Sequence, residues 1–569
     1  MSKKLIVERD VETPMRDGVV LRADVYRLDS IDPLPVLLQR TPYGKGFSQN
    51  SFALMAAERG YAVVIQDTRG MWASEGQGYP FIYEREDGYD SVEWAASQPW
   101  ANGKVGMFGG SYVGITQLAA ASMNPPSLKT IVPAITTCNP VNILYGGGEI
   151  QLVTAVSWSL LAWALQAIMR SPANPPEKAQ LMGQLITLVD GMSRGGTFKF
   201  QPIIDLPLIG RNGLINILPE AYAHPPFDPY WQLIRYNYET LKIPIFHIGG
   251  WYDLFIASTL SDYVGIRQQG NLQQKVLIGP WYHGPYDNLV GEVDFGLQAS
   301  GMLVLPDEIQ LRWFDYWLKG IDNGIMQEPP IQIFVMGDNL WRTENEWPLR
   351  RTHYSTNYLH SQGAANTLHG NGTLNMNAPS VEPVDSFVYD PNNPVPTRGG
   401  NTCCWSAALP PGAYDQRKVE ERPDVLVYTS LPLENDLEVT GPIEVHLWAS
   451  SNAPDTDFTA KLVDVGPCGY ARNVQDGIQR ARYRVAGESS LLTPGEVYEF
   501  TISLGATSNV FKAGHRLRLE ISSSNFPRFD RNTNTGQPPG TDVTLRPAYQ
   551  TIFHDSEHPS HIILPTIPR

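Results

Sequence analysis

The sequence predicts an α/β domain on a parallel sheet, interrupted by a helical insertion and followed by an all-β domain. Three observations carry this prediction. Over residues 1–140, continuous apolar runs alternate with helical patterns, the mark of strands buried on both faces. Residues 141–240 lack such runs, and the alternation resumes over 241–345. From 346 to 569, short period-two strands are separated by Gly, Pro, Asn and Asp turns, as in a β-sandwich of jelly-roll type.

In order, LIVERDVETPM and VVLRADVYR flank Arg16-Asp17-Gly18 as a hairpin. PVLLQR (35–40) and YAVVIQ (61–66) are buried strands with a helix candidate from Ser51 to Glu58 between them. Asp87 to Ala96 has helical spacing with Trp94 inward. Val105 to Phe108 is a strand, Ile115 to Met123 a helix and Leu128 to Ile135 a further strand. The insertion offers Val153 to Arg170 as a helix, with Pro-rich breaks at 172–176 and 224–229. Strands at Ile243–Ile248 and Lys275–Ile278 then alternate with helices at Ile256–Gln269 and near Glu308–Leu318. In the last region EVHLWAS, FTAKLVDV, QRARYRV, VYEFTISL and RLRLEISSS read as strands, and RNTNTGQPPG (531–540) as a long loop.

At 569 residues the chain exceeds one core. Its net charge of −15, with no basic cluster, gives no reason to expect nucleic acid or an anionic membrane as partner. No run approaches the ~18 apolar residues of a membrane span, and the first residues have no signal-like apolar core, so a cytoplasmic protein is expected. A leader removed before residue 1 would leave no trace. Four cysteines make no disulfide framework, and the adjacent Cys403 and Cys404 are not expected to pair. No Cys/His spacing suits a metal, and no cofactor is expected.

The chemistry centres on Gly106 to Gly114 (GMFGGSYVG). A strand that stops on Gly-Gly-Ser and turns at once into a helix presents a hydroxyl on a sharp turn. Ser111 is thus a candidate nucleophile; an ordinary turn with a capping serine is the bland alternative. A nucleophilic serine needs a base and an orienting carboxylate. In folds of this kind they follow in the order Ser, acid, His, each after a later strand. IPIFHIGGWYD supplies Asp253 and QKVLIGPWYH supplies His283 in that order. Singly, Asp253 reads as a helix N-cap and His283 as a packed loop residue. His247, the rival base, lies inside its strand and is expected to pack. All three at strand ends in the required order favour the triad. An oxyanion hole then follows from the backbone N–H of Tyr112 and, in the loop after the third strand, from the Tyr43 hydroxyl. A tyrosine merely packing over the sheet is the alternative for Tyr43.

PMRDGVVLRADVYR, TPYGK, YAVVIQDTRGMWASEG, GMFGGSYVGITQ, GGWYD, GPWYH, DTDFTAKLVDV, TSNVFKAGHRLRLEISSSNFPRFDRNTNTG and HPSHIILP together carry a resemblance. The chain resembles the family of bacterial cocaine esterase and X-prolyl dipeptidyl aminopeptidases, which includes α-amino acid ester hydrolases and a cephalosporin acylase. The likeness runs from the first hairpin to the C-terminus and is weakest in the insertion. It implies an α/β-hydrolase with a helical cap and a jelly-roll-like C-terminal domain. It places the family's serine, acid and histidine on Ser111, Asp253 and His283, and its oxyanion donors on Tyr43 and Tyr112. The family's G-x-S-Y-x-G pattern also accounts for Gly114 standing one place later than in G-x-S-x-G.

Relatives that bind a free α-ammonium carry acidic residues shortly after the triad aspartate. Leu254-Phe255-Ile256 here cannot neutralise a cation. By similarity, Phe255 and Trp158 should line an aromatic acyl pocket, with Trp405 on a loop of the β domain that closes it. The expected activity is a serine hydrolase of carboxylic esters with an uncharged, aromatic or bulky acyl group. An amidase, acylase or X-prolyl dipeptidyl peptidase on the same triad is the alternative. A non-catalytic carbohydrate-binding reading of the β domain is disfavoured by the complete triad. The expected partner is a small-molecule ester or amide, and a homodimer is compatible with the sequence.

Overall fold

The N-terminal hairpin opens a ten-stranded sheet in the computed structural model, which describes residues 4–47, 50–407 and 409–569. Its strands include β1 (Leu5–Pro14), β2 (Val20–Leu28), β3 (Leu34–Thr41), β4 (Ala62–Asp67), β5 (Ala101–Gly110), β6 (Leu128–Ala134), β7 (Ile245–Tyr252) and β8 (Gln274–Tyr282). The order is β1-β2-β4-β3-β5-β6-β7-β8, extended by Ile331–Val335 and Leu340–Glu344. From β4 to β8 neighbours run parallel. β3 lies between β4 and β5, so the connections diverge at the carboxyl ends of β3 and β5, where open α/β sheets bind ligands.

Every residue of β4 and β7 is buried. Period two explains how one strand serves two cores. Leu37 and Phe108 face a cluster with Phe52 and Ala56 of α1 (Asn50–Glu58). Val36, Leu38 and Met107 face the opposite cluster, with Val92 of α2 (Glu84–Ala96) and Ile115 of α3 (Tyr112–Ser122).

Between β6 and β7 the chain leaves the sheet. The helix Leu152–Arg170 contains a π-helical stretch over Ser159–Ala164. This helix corrects one expectation: by length and composition it is apolar enough to cross a membrane, although it is mostly buried within the protein. The helix Pro175–Ser193 follows, started by a capping box between Asn174 and Glu177.

The C-terminal region forms an eleven-stranded, almost wholly antiparallel sheet from His353–His360 to His561–Ile567 around its own core, which includes Leu447, Phe458, Phe500 and Leu519. QRARYRV, expected as a strand, is strand only through Arg480; Ala481–Tyr483 is a 3-10 turn. Buried ion pairs hold the two arginines on either side of Ala481: Arg480 with Asp457 and Asp530, and Arg482 with Asp455. A second correction concerns Cys403 and Cys404, which are joined as a vicinal disulfide, with Cys404 at φ 78°.

Candidate active site

Ser111 stands between β5 and α3 at φ 61°, ψ −128°, a backbone region costly for a side chain. Its own N–H donates to Ala134 O at 2.9 Å, and Gly114 and Ile115 donate to its carbonyl. Glycine is required just before it, because a Cβ on Gly109 (φ 119°) would meet Val113 Cγ1 at 2.4 Å. A Cβ on Gly114 would meet Thr136 Cβ at 2.6 Å, so the displaced glycine serves the close approach of α3 to the segment after β6.

The structure brings Ser111, His283 and Asp253 into one hydrogen-bonded line. Ser111 Oγ lies 2.9 Å from His283 Nε2, and Asp253 Oδ1 lies 2.7 Å from His283 Nδ1. Asp253 is fully buried at the end of β7, and His283 follows β8 with its ring only slightly exposed. A carboxylate on Nδ1–H leaves Nε2 as the acceptor facing the serine. His247 packs instead, as expected: its Nε2 is 2.9 Å from Gln274 Oε1, and burial pulls its pKa down to about 4.

Tyr43 lies in the loop after β3. The residue is 37% exposed, but its hydroxyl is enclosed beside Ser111 and accepts from Trp158 Nε1 at 3.2 Å. Enclosure of that hydroxyl pushes its pKa up to about 12, outweighing the opposing influence of Trp158 and Ser111. The backbone N–H of Tyr112 opens α3 and is one of the amides that a helix start leaves without an intrahelical partner. The Tyr112 hydroxyl is engaged elsewhere, donating to Glu84 Oε1 at 2.7 Å and accepting from Phe81 N–H at 3.1 Å. Glu84 also accepts from the fully buried Arg40 at 2.6 Å. Burial pushes the Glu84 and Tyr112 pKa values upward, and for Glu84 the Arg40 charge opposes it.

Phe255 is buried, its ring 5.6 Å edge-on from that of His283. Trp158 is buried beside Tyr43 and stacks on Phe81, which stacks in turn on Tyr112. The π-helical turn that begins after Trp158 also carries Trp163, whose ring meets those of Trp158 and Tyr112. Trp405 is half-buried and packs against the core cluster that holds Trp158 and Phe255. Among the described residues it makes no ring contact with either. Behind Trp158 lies an apolar cleft bounded by Phe81, Leu144, Ile217, Trp231 and Ile234. Phe81, Trp163 and the Arg40–Glu84 pair escape sequence reasoning, since nothing in their local pattern marks contact with the elbow.

Comparison with known proteins gives the family. Residues 17–285 match X-Pro dipeptidyl-peptidase (S15 family), and residues 323–563 match the X-Pro dipeptidyl-peptidase C-terminal non-catalytic domain. The chain is 39% identical to the cocaine esterase of Rhodococcus sp. (strain MB1 Bresler) over 576 residues, covering 99% of each protein. A solved structure of an α-amino acid ester hydrolase shares the fold at a TM-score of 0.81 and 24% identity, covering 99% of this chain and 97% of that one. An aminopeptidase from a marine-sediment Thaumarchaeota archaeon does so at 0.78 and 24%, covering 99% and 96%. The chain therefore belongs to the cocaine esterase and X-Pro dipeptidyl-peptidase (S15) family of serine hydrolases.

Proposed function

We propose that this protein hydrolyses carboxylic esters with an uncharged, aromatic or bulky acyl group through an acyl-enzyme on Ser111. The observation that carries the acyl preference is the apolar character of Phe255 beside the triad and of the cleft behind Trp158. Phe255 lies against His283, Leu254 and Ile256 flank it, and no charged side chain lines the cleft behind Trp158. A free ammonium there would lose its hydration without a partner. The cleft is narrow, about 30 Å³, so a bulky acyl group enters with movement of cap side chains such as Ile217 and Leu233.

In this mechanism Ser111 Oγ attacks the ester carbonyl as His283 Nε2 takes its proton. Asp253 holds the tautomer and stabilises the imidazolium. The carbonyl oxygen, as it gains charge, accepts hydrogen bonds from the Tyr43 hydroxyl and Tyr112 N–H. His283 returns the proton to the departing alkoxide, and water repeats the sequence to release the carboxylic acid. By this proposal Ser111→Ala abolishes turnover and labelling by a fluorophosphonate with the fold intact. A panel of esters varying acyl size and charge tests specificity. Preference for cationic acyl groups, or faster cleavage of an anilide than of its matching aryl ester, would overturn it.

A further inference from the structure

We infer that Asn401 and Gln475, both in the C-terminal β domain, are positioning residues for the proposed reaction; this rests on the triad reading above. The fully buried segment Trp251–Asp253, which carries the end of β7 into the triad acid, has polar groups held from outside its own domain. Gln475 Nε2 donates to Trp251 O at 2.7 Å and to Ala506 O at 2.9 Å. Asn401 Nδ2 donates to Asp253 O at 3.1 Å and to Gln475 Oε1 at 3.2 Å, with a longer approach of 3.4 Å to Trp251 O. The Tyr252 hydroxyl donates to Asn473 O at 2.9 Å. Three successive residues of the acid turn are therefore tied to the β domain. Asn401 and Gln475 are themselves buried, at 5% and 2% exposure, so solvent does not compete for these bonds.

The rest of its support comes from its own domain, where Tyr252 is paired with Tyr282 of β8. Within its own domain Asp253 N–H donates to Gly250 O, Ile256 N–H donates to Asp253 O, and the Trp251 indole donates to Phe334 O. None of these bonds reaches the carboxylate, and among the described residues Asp253 Oδ2 has no hydrogen-bond partner. The carboxylate thus keeps its 2.7 Å contact with His283 through the placement of its backbone. The β domain, although it carries no member of the triad, fixes that placement.

Asn401→Ala and Gln475→Leu are expected to lower kcat for an aryl ester about tenfold to a hundredfold, the effect of a small misplacement of a catalytic group. KM should stay within twofold. Circular dichroism checks that each variant is folded, and Asn401→Ser offers a milder change if Gln475→Leu does not fold. A cycle with Asp253→Asn separates the outcomes. If Asn401→Ala costs nothing further in the Asp253→Asn background, Asn401 acts through the aspartate. Additive losses, or an unchanged kcat in the single variants, would overturn the inference. Wild-type turnover by Asp253→Asn would sink the triad reading itself.

Discussion

Trp158 Nε1 donates to the Tyr43 hydroxyl at 3.2 Å, joining the wall of the apolar cleft to the group that faces Ser111. An indole N–H that occupies one lone pair of a phenol leaves the phenolic proton to point elsewhere, here toward the serine side. Trp158→Phe keeps the ring packing on Phe81 and removes the N–H. The expected result is a fall in kcat of about threefold to tenfold, the size of one ordinary hydrogen bond. Trp158→Ala should in addition raise KM for aromatic esters. Steady-state rates on a set of aryl esters decide, and a Phe variant with wild-type kcat would show that this bond does not orient Tyr43.

Tyr43→Phe removes one of the two proposed oxyanion donors and leaves its ring in place. Its kcat should drop about a hundredfold to a thousandfold with KM little changed. Because enclosure pushes the hydroxyl up to about 12, it stays protonated through the working range. Wild type and variant should therefore share the same alkaline profile. An alkaline loss below about pH 10 in the wild type alone would mean that the hydroxyl titrates near its ordinary value.

Gly114→Ala tests the displaced glycine of the elbow. The added methyl would meet Thr136 Cβ at 2.6 Å and Cγ2 at 2.7 Å, while Thr136 Oγ1 donates to the Ser111 carbonyl at 2.9 Å. Crowding of this kind costs about 1–3 kcal/mol in a packed interior, and here it also pushes on the nucleophile's own peptide. Both the urea midpoint and kcat should fall. Adding Thr136→Ser, which keeps the hydroxyl and removes the Cγ2 methyl, should recover part of each; no recovery would place the damage elsewhere.

The sheet was legible because its strands are continuous apolar runs, and only two-sided burial makes such runs. The order of Ser111, Asp253 and His283 was legible for a related reason, since each stands just past such a run. What the sequence hid depends on distant partners. QRARYRV alternates like a strand, but Arg480 and Arg482 are fixed by Asp457, Asp530 and Asp455, and the chain turns between them. Asn401 and Gln475 look like ordinary polar positions until the two domains meet at Trp251–Asp253. Cys403 and Cys404 were misjudged because adjacency alone argued against pairing, and the left-handed backbone at Cys404 lies beyond sequence patterns.

His247 supplies the pH test of stability. Desolvation in β7 lowers its pKa from 6.5 to about 4, and the hydrogen bond to Gln274 opposes this only in part. The folded state therefore holds the ring neutral where the unfolded chain already binds a proton. Its stabilising effect is complete above about pH 6.5 and is lost as the pH falls toward about 4, because the unfolded state then takes up more protons. His247→Gln cannot titrate and can still donate to Gln274 Oε1. The difference between urea midpoints at pH 7 and pH 5 should be smaller in the variant than in the wild type. Equal differences in the two proteins would show that the acid sensitivity of the fold arises from other groups.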